Sequence, residues 1–236
     1  MNNLMGAINL RARQVMMAQA VNANNLANAS TDGFVAELLH MSNSADGSQD
    51  YSIADFSRGP IQQTGRDLDA SVQGDGWIAV VSATGDEAYS RRGDFRIDAA
   101  GLLTDGAGHI IMGNSGPITL PPFESVTIAI DGTISIRPLG SQANNMAVVN
   151  QIKLVNPPNS DLIRGEDGLF RPPFGVQVNA DPNVRLQIGT LEGSNVNAVE
   201  ELLKMMDLAR EFETNTKLMQ SSDENSKRLN TLMRIN

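Results

Sequence analysis

The sequence contains no cysteine, which excludes disulfides, thiolate nucleophiles and cysteine metal ligands together. Aromatic residues make up only 4% of the 236 residues, and 21 glycines accompany them, so we expect many turns and small hydrophobic cores. Basic residues are also few: 18 Lys and Arg stand against 27 Asp and Glu, and none lies between Arg13 and Arg58. Nucleic acids and anionic membranes both attract clustered cations, so neither is an expected partner.

Long apolar runs are missing as well. No stretch approaches the roughly 20 residues of a membrane-spanning helix, so membrane insertion is not expected. The first ten residues lack the basic segment of a secretory signal, and Arg11 and Arg13 interrupt the apolar positions, so we expect no cleaved signal peptide, and export from the cytoplasm would need another route. With 41% hydrophobic and 19% charged residues, the composition is nevertheless typical of a globular protein.

Both ends of the chain carry helical patterns. Residues 2–28 repeat apolar side chains at spacings of three and four, and residues 194–233 do the same without any Pro or Gly. At about 1.5 Å per residue the second helix would reach roughly 55 Å, which is longer than a small β domain. We therefore expect the two helices to pair as a coiled coil and to assemble into a larger bundle.

The region between the helices has short apolar runs separated by turn residues every eight to twelve positions, which is typical of β-strands. Trp77 to Val81 is one such run, and Asp131-Gly132 suits a two-residue type I′ hairpin turn. No helix long enough for a parallel crossover intervenes, so the fold class is α+β with a central antiparallel all-β domain. The expected domains are an N-terminal helix (1–33), a connecting arm (34–70), the β domain (71–191) and a C-terminal helix (192–236).

An asparagine-rich stretch ends the first helix. Asn22, Asn24, Asn25 and Asn28 occupy positions where a solitary surface helix would favour Glu or Lys. Amide side chains are neutral and both donate and accept hydrogen bonds, so they suit a surface that meets other protein. A turn follows and ends at Phe34, which we interpret as an anchor.

Residues that would carry chemistry are hard to find. His40 and His109 lie far apart, and neither has a partner at metal-ligand spacing. No nucleophile elbow, phosphate-binding glycine loop or calcium loop is recognisable. We therefore expect no enzyme, and no catalytic, cofactor-binding or metal site.

Four strings of the sequence stand out, and we name them the N-terminal, Gly-Trp, Arg-Arg and C-terminal motifs. They are, in that order, Ala23-Asn-Asn-Leu-Ala-Asn-Ala-Ser-Thr-Asp-Gly-Phe34, Gly74-Asp-Gly-Trp-Ile-Ala-Val80, Tyr89-Ser-Arg-Arg-Gly-Asp-Phe95 and Leu191-Glu-Gly-Ser-Asn-Val196. Together they resemble the bacterial flagellar rod and hook proteins. The chain is too short for the outer domain of a hook protein, and it is most similar to the proximal rod proteins. One position departs from the family pattern, because Val35 stands where Lys or Arg usually follows Gly-Phe.

The resemblance implies a building block without enzymatic activity, located in the rod of the flagellar basal body within the periplasm. Such subunits polymerise through their terminal helices into a hollow drive shaft that transmits motor torque. The implied partners are other rod proteins, copies of the same chain and the flagellar type III export apparatus. For the assembly interface we expect Ile8, Val15, Asn22, Asn24, Asn25, Leu26, Asn28, Phe34, Leu202, Phe212, Met219 and Leu229.

Two other interpretations stay open. A distal rod protein or a hook-like axial protein would carry similar end motifs. A peptidoglycan- or carbohydrate-active β protein with helical oligomerisation arms would share the helix–β–helix plan, but it would need a pair of catalytic carboxylates.

Overall fold

A computed structural model of the chain describes residues 2–40, 51–140, 145–173 and 176–233; at residues 2–5, 222, 223 and 225–233 it describes the backbone. These residues form two compact units. The first comprises residues 1–29, 36–55 and 196–236, and the second comprises residues 30–35 and 56–195. We refer to them as the helical unit and the β unit.

The helical unit contains both long helices and one strand pair. Helix α1 spans Asn2–Ala27 and helix α2 spans Ala198–Met233. Strand β1 (Glu37–His40) pairs antiparallel with β2 (Tyr51–Ala54). At the start of α2, the side chain of Asn197 caps the helix by accepting the backbone N–H of Val199 at 3.1 Å.

The two helices lie against each other and run antiparallel, since Arg11 forms an ion pair with Glu211 while Asn22 bonds to Glu201. The prediction that they pair as a coiled coil is wrong. A coiled coil needs an apolar seam that repeats every 3.5 residues. Of the helical side chains described, the buried ones are four amides and one aliphatic residue: Gln14, Val15, Asn22, Asn25 and Asn215. The α+β arrangement itself, with a central antiparallel β region, is confirmed.

The β unit contains the remaining strands, which pair antiparallel. In chain order they are β3 (Ile61–Gln63), β4 (Ala70–Gln73), β5 (Trp77–Val81), β6 (Glu87–Ser90), β7 (Arg96–Ile97), β8 (Leu103–Thr104), β9 (Ile110–Gly113), β10 (Gly116–Pro117), β11 (Phe123–Ile128), β12 (Thr133–Pro138), β13 (Ala147–Gln151), β14 (Leu154–Val155), β15 (Ile163–Arg164), β16 (Phe170–Arg171), β17 (Arg185–Ile188) and β18 (Thr190–Glu192). A short 3₁₀ helix, Asn159–Asp161, lies between β14 and β15.

The largest sheet has the strand order β15-β16-β6-β5-β9-β8-β7, with β10 beside β9 and β14 beside β5. Strand β5 lies at the centre of this sheet. Four of its five residues, Trp77 to Val80, are buried, as expected for a continuous apolar run. A smaller sheet has the order β11-β12-β13, and two further pairs join β17 to β4 and β18 to β3. The hydrophobic core packs between these sheets and includes Phe95, Ile111 and Ile134.

The hairpin predicted at Asp131-Gly132 is present between β11 and β12, but its turn differs from the expected two-residue type. Gly132 donates its backbone N–H to the carbonyl oxygen of Ala129 at 2.9 Å, so the loop has three residues. Gly132 has a φ of 83°, the left-handed conformation that the last position of such a loop needs. The Asp131 carboxylate accepts the Thr133 backbone N–H at 3.0 Å and the Thr133 hydroxyl at 2.9 Å, which fixes the wider turn.

Candidate assembly sites

The N-terminal and C-terminal motifs meet inside the β unit. Gly33 donates its backbone N–H to the carbonyl oxygen of Glu192 at 2.6 Å, and Asn195 donates to the carbonyl oxygen of Phe34 at 3.4 Å. Gly33 has a φ of 68°, and a Cβ atom there would lie 2.5 Å from the backbone nitrogen of Arg92. Only glycine fits this approach, because its neighbour is a rigid main chain.

Glu192 is the charged centre of this region. Its carboxylate pairs with Arg58 at 3.0 Å and with Arg91 at 3.6 Å, and Glu192 and Arg91 are 3% and 2% exposed. It also accepts the backbone N–H of Gly59 at 3.3 Å. The guanidinium of Arg91 lies 4.6 Å from the centre of the Trp77 ring. Burial lowers the pKa of Arg91, while the Glu192 carboxylate opposes that shift.

Phe34, the predicted anchor, is held by a cation from a distant strand. The guanidinium of Arg164 lies 4.6 Å from the centre of the Phe34 ring and donates to the carbonyl oxygen of Val35 at 2.8 Å. Val35 itself is 3% exposed, so its aliphatic side chain packs inside the protein. The cation beside the Gly-Phe pair therefore comes from β15, while the residue that follows Phe34 belongs to the core.

We call this cluster the motif junction, because residues of all four motifs meet in it. It consists of Gly33, Phe34, Trp77, Arg91 and Glu192 from the motifs, together with Arg58 and Arg164. Sequence reasoning singled out the strings that hold Trp77, Arg91 and Glu192 but assigned no role to these side chains. Arg58 and Arg164 carried no signal in the sequence, since an isolated arginine beside a turn or in a short strand is common.

An acidic group borders the junction. Arg92 pairs with Asp94 at 2.6 Å, and the half-buried carboxyl of Asp32 from the N-terminal motif lies within reach of both charges. Burial raises the pKa of Asp32, and the negative charges of Asp94 and Asp69 add to this, whereas Arg92 partly offsets them. The N-terminal motif therefore contributes an unfavourable charge to the β unit at neutral pH.

In the helical unit, two asparagines of the predicted interface are hydrogen-bonded within the chain. Asn22 is fully buried and donates its amide to the carbonyl oxygen of Glu201 at 3.0 Å and to the Glu201 carboxylate, which ties α1 to α2. Asn25 is 1% exposed and exchanges two hydrogen bonds with the backbone of Glu37, at 2.8 and 2.9 Å, which ties α1 to β1. Their amides thus organise the unit in which they lie.

The other predicted interface residues differ widely in exposure. Asn24 is exposed, while Asn28 is half-buried and donates its amide to the carbonyl oxygen of Asn24 at 2.9 Å. Ile8, Leu26 and Met219 are half-buried, Val15 is buried, and the side chain of Leu229 lies outside the described part of the chain. Leu202 and Phe212 are 50% and 37% exposed.

Leu202 belongs to an exposed apolar patch that we call the outer face of α2. Its members are Val199, Leu202, Leu203 and Met206, with exposed fractions between 50% and 65%. At about 100° per residue, they lie opposite Leu208 and Asn215, which turn inward. The start of α2 therefore turns one side toward the rest of the helical unit and exposes an apolar side to water. Helix α1 carries a similar exposed group of Leu10, Met16 and Met17.

The described residues show no group of three or more His, Asp or Glu side chains that could hold a metal ion. Among the described helices, none is long and apolar enough to cross a membrane.

Comparison with known proteins identifies two matching family models. Residues 71–136 match the flagellar hook protein FlgE/F/G D1 domain, and residues 187–232 match the flagellar basal body rod FlgEFG protein C-terminal region. The flagellar basal-body rod protein FlgF of Escherichia coli (strain K12) is 41% identical over 94% of both chains. The chain belongs to the FlgF family of flagellar basal-body rod proteins.

The FlgF protein of Salmonella typhimurium is 40% identical, again over 94% of both chains. The rod protein FlgG of Bacillus subtilis is 28% identical over 89% of this chain and 80% of its own. The predicted resemblance is thus confirmed, and the FlgF family is one of structural rod subunits and not a class of enzymes. The two family models include Trp77, Arg91 and Glu192 of the motif junction.

Proposed function

We propose that this chain is a proximal rod subunit of the flagellar basal body, which polymerises through its terminal helices and transmits motor torque across the periplasm. The observation that carries the proposal is the outer face of α2, where Val199, Leu202, Leu203 and Met206 remain exposed beside a helix pair that is already formed. Family membership supports assembly with other rod and hook components. We propose two more partners: copies of the same chain and the flagellar type III export apparatus.

The physical argument concerns apolar area. Burying one Leu side chain stabilises a contact by roughly 1.5–3 kcal/mol, so four apolar side chains on one helix face favour association strongly. Glu201 and Lys204, which pair at 3.8 Å, do not oppose this, because at about 100° per residue they lie on the side of α2 away from the outer face. The occupant that we propose is a terminal helix of a neighbouring rod subunit, since the N-terminal helix of this chain is itself uncharged on its outer side after Arg13.

A subunit that transmits torque has to be rigid, and the motif junction makes the β unit rigid. Its arginines are held by ion pairs, ring contacts and carbonyl oxygens, so the segments at Gly33, Arg58 and Glu192 cannot move independently. We propose no catalytic role for any of these residues. The higher identity to FlgF than to FlgG supports the proximal position over the distal one.

The test uses a motile strain whose own FlgF homologue is deleted and replaced by this chain. We expect the chain to restore swimming and to be found in purified basal bodies, in the proximal part of the rod by microscopy. Leu202→Glu should abolish swimming, because it puts a charge into the buried contact. The control is Val148→Glu, which changes a side chain of the β unit that is 70% exposed and should leave swimming intact. Swimming by the Leu202 variant would contradict the proposed contact.

A further inference from the structure

Methionine is the sole sulfur residue of this chain, with 11 methionines and no cysteine. Among the methionines whose side chains the structure describes, three lie exposed on the helical unit: Met16 and Met17 on α1, at 57% and 42%, and Met206 on α2, at 53%. Exposed thioethers are readily oxidised to sulfoxides, whereas Leu and Val side chains in the same patches are not.

The location of these methionines distinguishes them from scattered surface residues. Met206 is on the outer face of α2, three residues after Leu203 and four after Leu202, so the three side chains are neighbours on one surface of the helix. Met16 and Met17 lie on α1 three and four residues after Arg13, which is their neighbour on the helix surface, at the start of a stretch without charged residues. All three thus belong to the apolar surfaces for which we propose a neighbouring helix.

We propose that Met16, Met17 and Met206 form an oxidation site that blocks assembly of the free subunit when their thioethers are converted to sulfoxides. This inference rests on the proposed function, because the neighbouring helix is what the sulfoxide would repel. Before assembly the three sulfur atoms are open to a peroxide. Within the rod they are covered and protected.

The reaction balances with hydrogen peroxide as the oxidant. A lone pair of the methionine sulfur attacks one peroxide oxygen, the O–O bond breaks, and an S–O bond forms. The sulfur is oxidised by two electrons and the peroxide is reduced by the same two. The second peroxide oxygen leaves as one molecule of water, which carries both protons. Methionine sulfoxide reductases reverse the step with electrons from thiols.

The consequence for assembly follows from the polarity of the product. A sulfoxide oxygen is a strong hydrogen-bond acceptor, and an apolar helix face offers it no donor. Burying it unpaired should weaken association about tenfold or more for each modified contact. The free chain would keep its fold, because the three side chains contribute little to the hydrophobic core.

The chain offers a matched control. Met146 is 44% exposed, similar to Met17, but it belongs to the β unit and not to the helical unit. It should be oxidised as fast as Met17 in the free chain, without effect on assembly.

The first measurement is peptide mass spectrometry after hydrogen peroxide is added to the purified chain and, separately, to basal bodies purified from a strain that swims with it. We expect Met16, Met17 and Met206 to be oxidised at least about tenfold more slowly in basal bodies than in the free chain. Equal rates in both samples, or protection already in the free chain, would overturn the inference.

The second measurement uses glutamine, whose length and polarity imitate the sulfoxide. The triple variant Met16→Gln/Met17→Gln/Met206→Gln should lose swimming, while Met16→Leu/Met17→Leu/Met206→Leu and Met146→Gln should swim. A swimming triple glutamine variant would disprove the inference and leave the proposed function intact. Absence of the wild-type chain from basal bodies would instead disprove the proposed function, and the inference with it.

Discussion

Gly33 and Glu192 are hydrogen-bonded through their backbones, at 2.6 Å, although they lie 159 positions apart in the sequence. Gly33 is the second-last residue of the N-terminal motif, and Glu192 is the second residue of the C-terminal motif. The Glu192 side chain continues the connection to Arg58 and Arg91. The two motifs by which the chain resembles rod proteins are therefore two halves of one structural element in the β unit.

The first prediction concerns the space at Gly33. Gly33→Ala should lower the free energy of unfolding of the β unit by more than about 2 kcal/mol, since left-handed strain of about 1 kcal/mol adds to a collision with the backbone of Arg92. The measurement is thermal and denaturant unfolding. The matched control is Gly65→Ala, where φ is 73° but no atom lies within 4 Å of the new Cβ, so strain acts alone. Equal losses at both positions would refute the steric argument.

The second prediction concerns the buried charge of Glu192. Glu192→Gln keeps the size of the side chain but leaves Arg91, which is 2% exposed, without its counter-ion. Breaking one partner of a buried pair costs roughly 3–5 kcal/mol, which urea unfolding of the β unit can measure. The comparison is Glu124→Gln, which removes the surface pair with Arg137 and should cost about 0–1 kcal/mol. A small effect at both positions would mean that the motif junction contributes little to stability.

The third prediction concerns pH and Asp32. Its folded-state pKa is raised above the ordinary value of 3.8 by burial and by Asp94 and Asp69, so native protein binds this proton more tightly than unfolded protein. Wild-type stability at this site therefore falls as pH rises from 3.8 through the folded pKa. Asp32→Asn should raise the melting temperature at neutral pH, and the difference should vanish below the ordinary pKa. Melting curves across this pH range test it.

Asp131→Asn is the opposite case and serves as the control for Asp32. Hydrogen bonds from the Thr133 backbone and hydroxyl lower the pKa of Asp131 below its ordinary value of 3.8. Its carboxylate therefore stabilises the fold fully at pH values above that ordinary pKa, and this stabilisation is lost as pH falls through the folded-state pKa. This variant should melt at a lower temperature than wild type at neutral pH. If both asparagine variants shift melting in the same direction, the charge environments inferred for them are incorrect.

The fourth prediction concerns the hydrogen bonds from Asn22 of α1 to Glu201 of α2. Asn22→Ala removes the amide that donates to Glu201 and leaves the Glu201 carboxylate beside a small cavity, which should cost about 1–3 kcal/mol. Hydrogen exchange of α1 amides, followed by mass spectrometry, should become faster. Asn24→Ala is the matched change at an exposed position of the same helix, where helix propensity alone predicts a gain of a few tenths of a kcal/mol. Unchanged exchange in the Asn22 variant would contradict a structural role for these hydrogen bonds.

The sequence predicts elements well wherever one local pattern decides the structure. Strand β5 has the predicted bounds, Trp77–Val81, because a continuous buried run needs no knowledge of its partners. The turn at Asp131-Gly132 was predicted in place but not in type, since both loop lengths accept glycine in the left-handed conformation.

The prediction of a coiled coil is wrong for a different reason. Periodicity identifies a helix stripe but not what covers it, and Asn25 of α1 faces β1, not α2. The motif junction was beyond sequence reasoning because Arg164 meets Phe34 only through the pairing of strands far apart in the chain. Contacts of that kind depend on topology, which local patterns do not encode.

Asn195 donates its side-chain amide to the carbonyl oxygen of Ser57 at 3.0 Å, so the main stretch of the β unit begins and ends at one point. A domain whose two ends touch behaves as an insert, and inserts can be removed or exchanged without strain on the host chain. A short linker from Asp55 to Val196 would therefore leave the two helices and one strand pair, together with residues 30–35, which would lose their contacts with Glu192 and Arg164. Conversely, a foreign domain with adjacent ends could be carried in the same place.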